Sequence, residues 1–331
     1  MDRILLGHGS GGKLMHELIR RYFSPAFGVR GSGDSAVVTM PSQRLAYTTD
    51  SYVVTPLFFP GGNIGELAVN GTVNDLAVAG AEPLFLTAGF IIEEGFLMSD
   101  LQKIITSMSV AAAKAGVKIV AGDTKVVNKG KADGIFINTS GVGVLPDGRE
   151  IEAGNIKRGD RIIISGGIGS HGVAVMAERN GLTFDPPVLS DTRSLNRMVA
   201  AMYGASNAIR FMRDPTRGGL ATTLKEIAME SRMCFRIRES ALPIPPGVKG
   251  ACGLLGLDPL FVANEGILIA IVDADATPAV LQAMLTHDGG REATIIGEVV
   301  EQPQGRVLLE TAIGGTRIID MLQGEQLPRI C

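Results

Sequence analysis

Gly65-Glu66-Leu67-Ala68-Val69-Asn70-Gly71-Thr72-Val73-Asn74-Asp75-Leu76-Ala77-Val78-Ala79-Gly80 is the stretch that decides the fold. Its apolar residues recur at helical spacing and Gly80 supplies a stop, which predicts a buried helix. Asp75 interrupts those apolar surroundings. A carboxylate on a buried stretch costs several kcal/mol unless it is paired or bound to a cation. A salt bridge or a helix cap would satisfy it, and so would a cation.

Outward from Asp75, further acids stand at the edges of predicted elements. Gly33-Asp34-Ser35-Ala36 precedes a strand, Val37-Val38-Thr39-Met40, and Asp50 ends the strand Leu45-Ala46-Tyr47-Thr48-Thr49. Phe85 to Ile92 reads as a strand, and Ser99-Asp100 as the cap of a helix that runs to about Ala115. Val117-Lys118-Ile119-Val120-Ala121 reads as a buried strand, with Gly122-Asp123-Thr124-Lys125 at its end. A strand from Ile135 to Leu145 closes the first half, and Pro146-Asp147-Gly148 turns the chain out. Each acid alone is most simply an ion pair or a cap. As a set without matching His or Cys, they favour a hard, oxygen-seeking cation, magnesium rather than zinc. Magnesium in turn implies the phosphates of a nucleotide.

Gly7-His8-Gly9-Ser10-Gly11-Gly12-Lys13-Leu14 fits the P-loop pattern until Leu14, which stands where Ser or Thr would hold magnesium. It reads instead as a glycine loop whose amides and Lys13 can close over phosphates from outside, or as a plain flexible terminus.

The second half opens with a strand ending at Ser165, and Gly167, Gly169 and Gly172 then satisfy G-x-G-x-x-G. The next aspartate, Asp185, lies in Phe184-Asp185-Pro186-Pro187 and not at a second strand end, so a tight strand-to-helix turn is preferred to dinucleotide binding. Ser194 to Phe211 reads as helical. Arg213-Asp214-Pro215-Thr216-Arg217-Gly218-Gly219-Leu220 leads into a helix from Ala221 to Ser231, whose N-terminus suits an anion. Asn264-Glu265-Gly266 precedes the strand Ile267 to Ile271. Glu265 there is a candidate base tuned by burial, or an ordinary turn glutamate.

Composition narrows the partners. The 331 residues are 45% hydrophobic and 20% charged, enough for two cored domains. A net charge of -3 and a pI near 5.9, with no basic run, speak against nucleic acid and anionic membrane. Neither a signal peptide nor a membrane span is evident, so a cytoplasmic protein is expected. Cys234, Cys252 and Cys331 match no zinc or disulfide spacing. The first two read as small core residues. Cys331 ends Leu327-Pro328-Arg329-Ile330-Cys331, behind a hinge at Gly324, and is the thiol left for chemistry.

The motifs Gly33-Asp34-Ser35-Ala36, Thr49-Asp50, Val73-Asn74-Asp75-Leu76-Ala77, Gly122-Asp123-Thr124 and Asp214-Pro215-Thr216-Arg217-Gly218-Gly219 resemble the AIR synthase-related ATP-binding superfamily. That superfamily includes PurM, PurL, selenophosphate synthetase and thiamine monophosphate kinase. The Gly7–Lys13 loop, Asn264-Glu265-Gly266 and Pro328-Arg329-Ile330-Cys331 are similar to its HypE family of hydrogenase maturation factors. The resemblance implies an α/β (α+β) fold of two AIR synthase-like domains. Residues 1–150 would form an ATP- and Mg2+-binding mixed sheet with flanking helices that dimerises. Residues 151–320 would form a second α/β domain, and residues 321–331 a flexible tail.

It also implies a reaction. A HypF-type carbamoyltransferase loads the terminal thiol, ATP-dependent dehydration turns the thiocarboxamide into a thiocyanate, and cyanide passes to iron on a HypC–HypD scaffold. An amide oxygen is a poor leaving group, so dehydration requires its phosphorylation followed by loss of the nitrogen protons. On this reading Asp34, Asp75 and Asp214 hold magnesium. Asp50, Asp75, Gly122, Asp123 and Thr124 contact nucleotide, and Lys13 closes on the phosphates. Glu265 takes the proton, Lys125 steadies the developing charge and Cys331 carries the substrate. A superfamily enzyme acting on a diffusible substrate, and a nucleotide-gated carrier whose Cys331 merely docks, are the alternatives.

Overall fold

The structure is a computed structural model that describes residues 12–18, 36–39, 44–322, 324, 327 and 329–331. Asp34, the Gly7–Gly11 part of the loop and Pro328 lie outside the described residues.

After a short helix α1 (Lys13–Leu18), the first half builds one mixed sheet. Its strands are β1 (Ala36–Thr39), β2 (Arg44–Tyr52), β5 (Glu82–Glu93), β6 (Lys118–Val127) and β7 (Ile135–Leu145). They lie in the order β1-β2-β7-β5-β6, with only β5 and β6 parallel. Phe58–Phe59 (β3) and Gly62–Asn63 (β4) form a small hairpin leading into α2 (Ile64–Val78). Asn63 caps α2 by accepting from the Gly65 N–H at 2.9 Å.

Helix α2 confirms the reading of its sequence. Every residue in it except Glu66 and Asp75 is buried, which marks a helix enclosed on all sides. It packs on β2, β5 and β7, on α3 (Met98–Ala115), and on α5 (Asn196–Ala205) and β9 (Ile209–Arg213) of the second half. Ala77 and Val78 at its end join a core with Ile163, Leu195 and Met198.

The second half centres on a seven-stranded sheet, formed by β8 (Arg161–Ile164), β9, β10 (Cys234–Arg238), β11 (Ile269–Val272), β12 (Thr294–Val300), β13 (Val307–Glu310) and β14 (Thr316–Ile319). Their order is β14-β13-β10-β12-β8-β11-β9. Around it lie α4 (Ser170–Arg179), α6 (Gly219–Ser231), α7 (Pro246–Leu255) and α8 (Thr277–Leu285).

Four expectations need correction. Asp50 does not end its strand, since β2 keeps pairing with β7 as far as Tyr52. The segment from Val117 is not a buried strand ending before Asp123. It becomes β6, a sheet edge running to Val127, with the side chains of 118–126 exposed, because none of the described residues covers them. Ser194 to Phe211 is not one helix: α5 ends at Ala205, and the chain re-enters the sheet as β9 beside β11. Ser99-Asp100 does not cap α3, since Leu97 occupies that position without a side-chain bond. Helix α7 and strand β14 were not anticipated. Pro246 opens α7, where its missing N–H costs nothing.

Close packing along α2 sets a stability test. A Cβ on Gly71 would lie 2.2 Å from the Tyr52 hydroxyl oxygen, and Tyr52 is 1% exposed. Alanine ordinarily gains about 1 kcal/mol over glycine inside a helix, whereas overpacking a core costs about 1–3 kcal/mol. Gly71→Ala should therefore lower the melting temperature, and adding Tyr52→Phe should recover part of the loss. A higher Tm for the single variant would contradict this packing.

Candidate active site

The ends of β2 and α2 meet the loop after β9 at a cavity of about 230 Å³. Strand β2 contributes Thr48, Thr49 and Asp50, and α2 contributes Gly71 and Asp75. Asp214, Thr216 and Arg217 come from the loop into α6, Glu226 from α6 itself, and Glu265 from the turn before β11. His16 of α1, Arg213 and Cys331 complete the lining.

Acids dominate the cavity. Thr48 Oγ1 donates to Asp75 Oδ2 at 2.7 Å, and Arg213 donates to Glu226 at 2.6 Å. Asp214 is 5% exposed and Glu265 is 3% exposed. Burial first, then the charges of Asp214, Asp191 and Asp50, push the Glu265 carboxyl well above the usual range, with Arg217 opposing. Its Oε1 is buried without a hydrogen-bond partner among the described residues, so an acceptor stands ready in the site. Burial also raises Asp50, against Arg217 and the Ser51 N–H.

Cys331 and Glu265 line the same cavity, so the thiol and the carboxyl act on each other. Burial pushes the thiol above its usual range, Glu265 and Asp50 add to the shift, and Arg217 opposes it. Arg217 is itself raised, chiefly by Cys331. The docked thiol is therefore protonated and a poor nucleophile. Docking of the tail follows the same linkage. The docked thiol holds its proton more tightly than a free one, so docking weakens as pH climbs above the ordinary thiol range. Cys234 and Cys252 are buried, and burial pushes Cys252 up to about 11.

The tail reaches this position by pairing with the chain just beyond β2. Val53 N–H donates to Cys331 O and Thr55 N–H to Arg329 O, both at 3.2 Å. Arg179 of α4 donates to Thr55 O and to Arg329 O, each at 2.8 Å. Arg329 pairs with Asp133. Ile330 is 2% exposed and packs into the core of the first half. His171, fully buried in α4, donates from Nε2 to Ile330 O at 2.7 Å and accepts at Nδ1 from Ser190 Oγ at 2.8 Å. Burial lowers the pKa of His171, consistent with this neutral form.

The cavity thus brings together five of the residues singled out in the sequence: Asp50, Asp75, Asp214, Glu265 and Cys331. Lys13 heads α1, exposed and outside the lining, with its N–H 3.5 Å from Leu322 O. Gly122, Asp123, Thr124 and Lys125 lie on the exposed β6, where Lys125 Nζ bonds Asp123 at 2.7 Å, away from the cavity of their own chain. Sequence reasoning missed His16, Glu226 and Arg213, and with them the tail's seat on His171, Arg179 and Asp133. No local pattern marks those residues, whose partners lie up to 196 positions away. Among the described residues no group of three or more His, Cys, Asp or Glu could hold a metal.

Removing the Arg179 guanidinium deletes two hydrogen bonds that seat the tail. Hydrogen bonds from a charged group are worth about 1.5–3 kcal/mol, and about 1.4 kcal/mol is tenfold. Arg179→Ala should therefore speed alkylation of Cys331 by iodoacetamide at least about tenfold, the equivalent of one such bond, as measured by peptide mass spectrometry. An unchanged rate would contradict the docked tail.

Comparison with known proteins agrees with this geometry. Residues 32–145 match the AIR synthase related protein, N-terminal domain, and residues 157–310 its C-terminal domain. Carbamoyl dehydratase HypE of Bradyrhizobium diazoefficiens is 56% identical over 98% of this chain and 95% of its own. A HypE crystal structure in complex with ATP superposes with a TM-score of 0.84 at 44% identity, covering 99% of this chain and 100% of that one. A HypE–HypF complex matches with a TM-score of 0.87 at 49% identity, covering 92% of this chain and 99% of that one. The chain belongs to the AIR synthase-related proteins and, among them, to the HypE family of carbamoyl dehydratases.

Proposed function

We propose that this protein uses ATP to dehydrate an S-carbamoyl group on Cys331 to a thiocyanate, the source of cyanide for the iron of [NiFe]-hydrogenase. The observation that carries this reading is the half-buried tail thiol lining one acid-rich cavity with Glu265 and Arg217. An enzyme acting on a diffusible substrate gives no reason for its own thiol to fill that space.

The residues present fit a magnesium nucleotide. Magnesium keeps several waters and takes one or two carboxylates plus phosphate oxygens, so Asp75 and Asp214, with Asp34 beyond the described residues, are donors of the right kind. Asp50 faces the nucleotide and Lys13 closes from outside. When bound, ATP with magnesium supplies the phosphoryl group that makes the amide oxygen a leaving group. Arg217 holds the carbamoyl end of Cys331 and balances negative charge beside it. Glu265 accepts the nitrogen proton at its open Oε1; burial raises its affinity for that proton, while Arg217 favours the ionised form that acts as the base.

Residues 1–150 serve as the nucleotide and dimerisation domain, 151–320 as the second domain and 321–331 as the substrate arm. The homodimer reading rests on β6, an open edge that exposes Val120 and Val126 beside Ile91 and Phe85 of β5. A second copy on that edge brings Gly122, Asp123, Thr124 and Lys125 to the partner's cavity. The protonated docked thiol implies that carbamoylation by a HypF-type transferase happens with the tail swung out about Gly324, as does handover to HypC–HypD. Among the described residues no helix is long and apolar enough to cross a membrane, and a working free thiol suits the reducing cytoplasm.

Cys331→Ala should retain ATP binding and lose carbamoylation by mass spectrometry; carbamoylation that persists removes Cys331 as acceptor. Glu265→Gln should bind ATP and accumulate the thiocarboxamide. Mixing Glu265→Gln with Lys125→Ala should recover activity that neither has alone, because each mixed dimer keeps one intact site. No recovery would place Lys125 outside its partner's site.

A further inference from the structure

Glu265 sits in a turn, where the backbone is ordinarily mobile, yet a base must be held within a few tenths of an ångström of its proton. What holds it is Asp191, 7% exposed and lying in the segment that leads to α5. The Asp191 carboxylate accepts from the Glu265 N–H at 3.2 Å through each oxygen and from the Gly266 N–H at 3.0 Å. The contact is close on the other side too. A Cβ on Gly266 would stand 1.8 Å from Asp191 O, so only glycine lets the two segments meet there.

The opposite side of the Glu265 peptide is gripped by α2. Asn74 Nδ2 donates to Glu265 O at 3.4 Å and to Arg193 O at 3.0 Å, while its Oδ1 accepts from Leu195 N–H at 2.8 Å. The segment carrying Asp191 is itself tied to the tail's seat. Ser190 Oγ bonds His171, which holds Ile330 O, and Ser190 N–H donates to Pro60 O at 2.8 Å.

We propose that Asp191 is a positioning residue for Glu265: its carboxylate clamps the Glu265–Gly266 backbone, and through Ser190 and His171 the same segment registers the base against the docked tail. The inference rests on the role of Glu265 proposed above. Asp191 is not part of the cavity lining, so its carboxylate reaches the chemistry through the Glu265–Gly266 backbone it holds.

Two measurements on the full chain test it. In the unmodified protein, Asp191→Ala should speed amide hydrogen exchange at Glu265 and Gly266 about tenfold or more, with Asp191→Asn, which keeps one acceptor oxygen, in between. Unchanged exchange overturns the clamp, whatever the reaction proves to be. In the carbamoylated protein, Asp191→Ala should lower the single-turnover rate of nitrile formation about a hundredfold. The KM for ATP and the alkylation rate of Cys331 in the unmodified chain should stay as they are, and Asp191→Asn should restore part of the rate. The pair Asp191→Ala, Glu265→Gln should be no slower than Glu265→Gln alone, since both act through one group. Additive losses, or a loss shared by ATP binding and tail docking, overturn the positioning role. Absence of nitrile in the wild-type chain alongside faster exchange in Asp191→Ala would instead overturn the role of Glu265.

Discussion

The enclosure of α2 is the constraint on which everything else rests. A helix buried on nearly every side must match its surroundings everywhere. Its glycines admit neighbours at distances a side chain would forbid, and Thr139 Oγ1 bonds Ala68 O and Thr72 Oγ1 at 2.8 and 2.5 Å. Because α2 belongs to the cores of both halves, the seam between them is fixed along its length. Asp75, one of its two residues that escape burial, marks where the seam opens into the cavity. A flexible joint would leave Asp50, Asp75, Asp214 and Glu265 free to spread apart, as their charges favour.

That crowding of acids around few cations is costly in the ligand-free chain. The cost becomes useful when a cation and a phosphoryl donor arrive, and meanwhile it keeps Glu265 basic and the docked thiol protonated. The tail fits the same logic. Its backbone adds to the chain beyond β2 as a short strand would, with Arg179 and His171 satisfying carbonyls that such a short pairing leaves open. Among the described residues these contacts are few, and Ile330 is the tail residue buried in a core, so release of the tail has to withdraw Ile330 from the core of the first half.

Much of the site was legible in the sequence because it was written in chemistry that conflicts with its surroundings. Asp75 in an apolar helix, acids expected at strand ends and a cysteine not read as a core residue each ask for an explanation, and the cavity gathers Asp50, Asp75, Asp214, Glu265 and Cys331, although Asp50 lies inside β2. His171, Arg179, Asp133 and Asp191 were not legible, since each acts through a partner distant in sequence that only the fold brings near. Strand β6 misled for a related reason. Val117 to Ala121 has the apolar make-up of a core strand, yet among the described residues only Val117 is covered and 118–121 are exposed, and composition does not say whether burial comes from within the chain or from a second copy. Ser194 to Phe211 misled because its helical period ends at Ala205 without a strong stop, and the pairing with β11 claims the rest.

The most direct measurement is infrared spectroscopy of the carbamoylated protein, isotope-labelled at the carbamoyl nitrogen, during one turnover with ATP and magnesium. A dehydratase whose substrate is its own tail predicts a nitrile band that appears only with ATP, shifts with the label, and grows in step with released phosphate. Phosphate release without a nitrile band, or a band that forms without ATP, would contradict it.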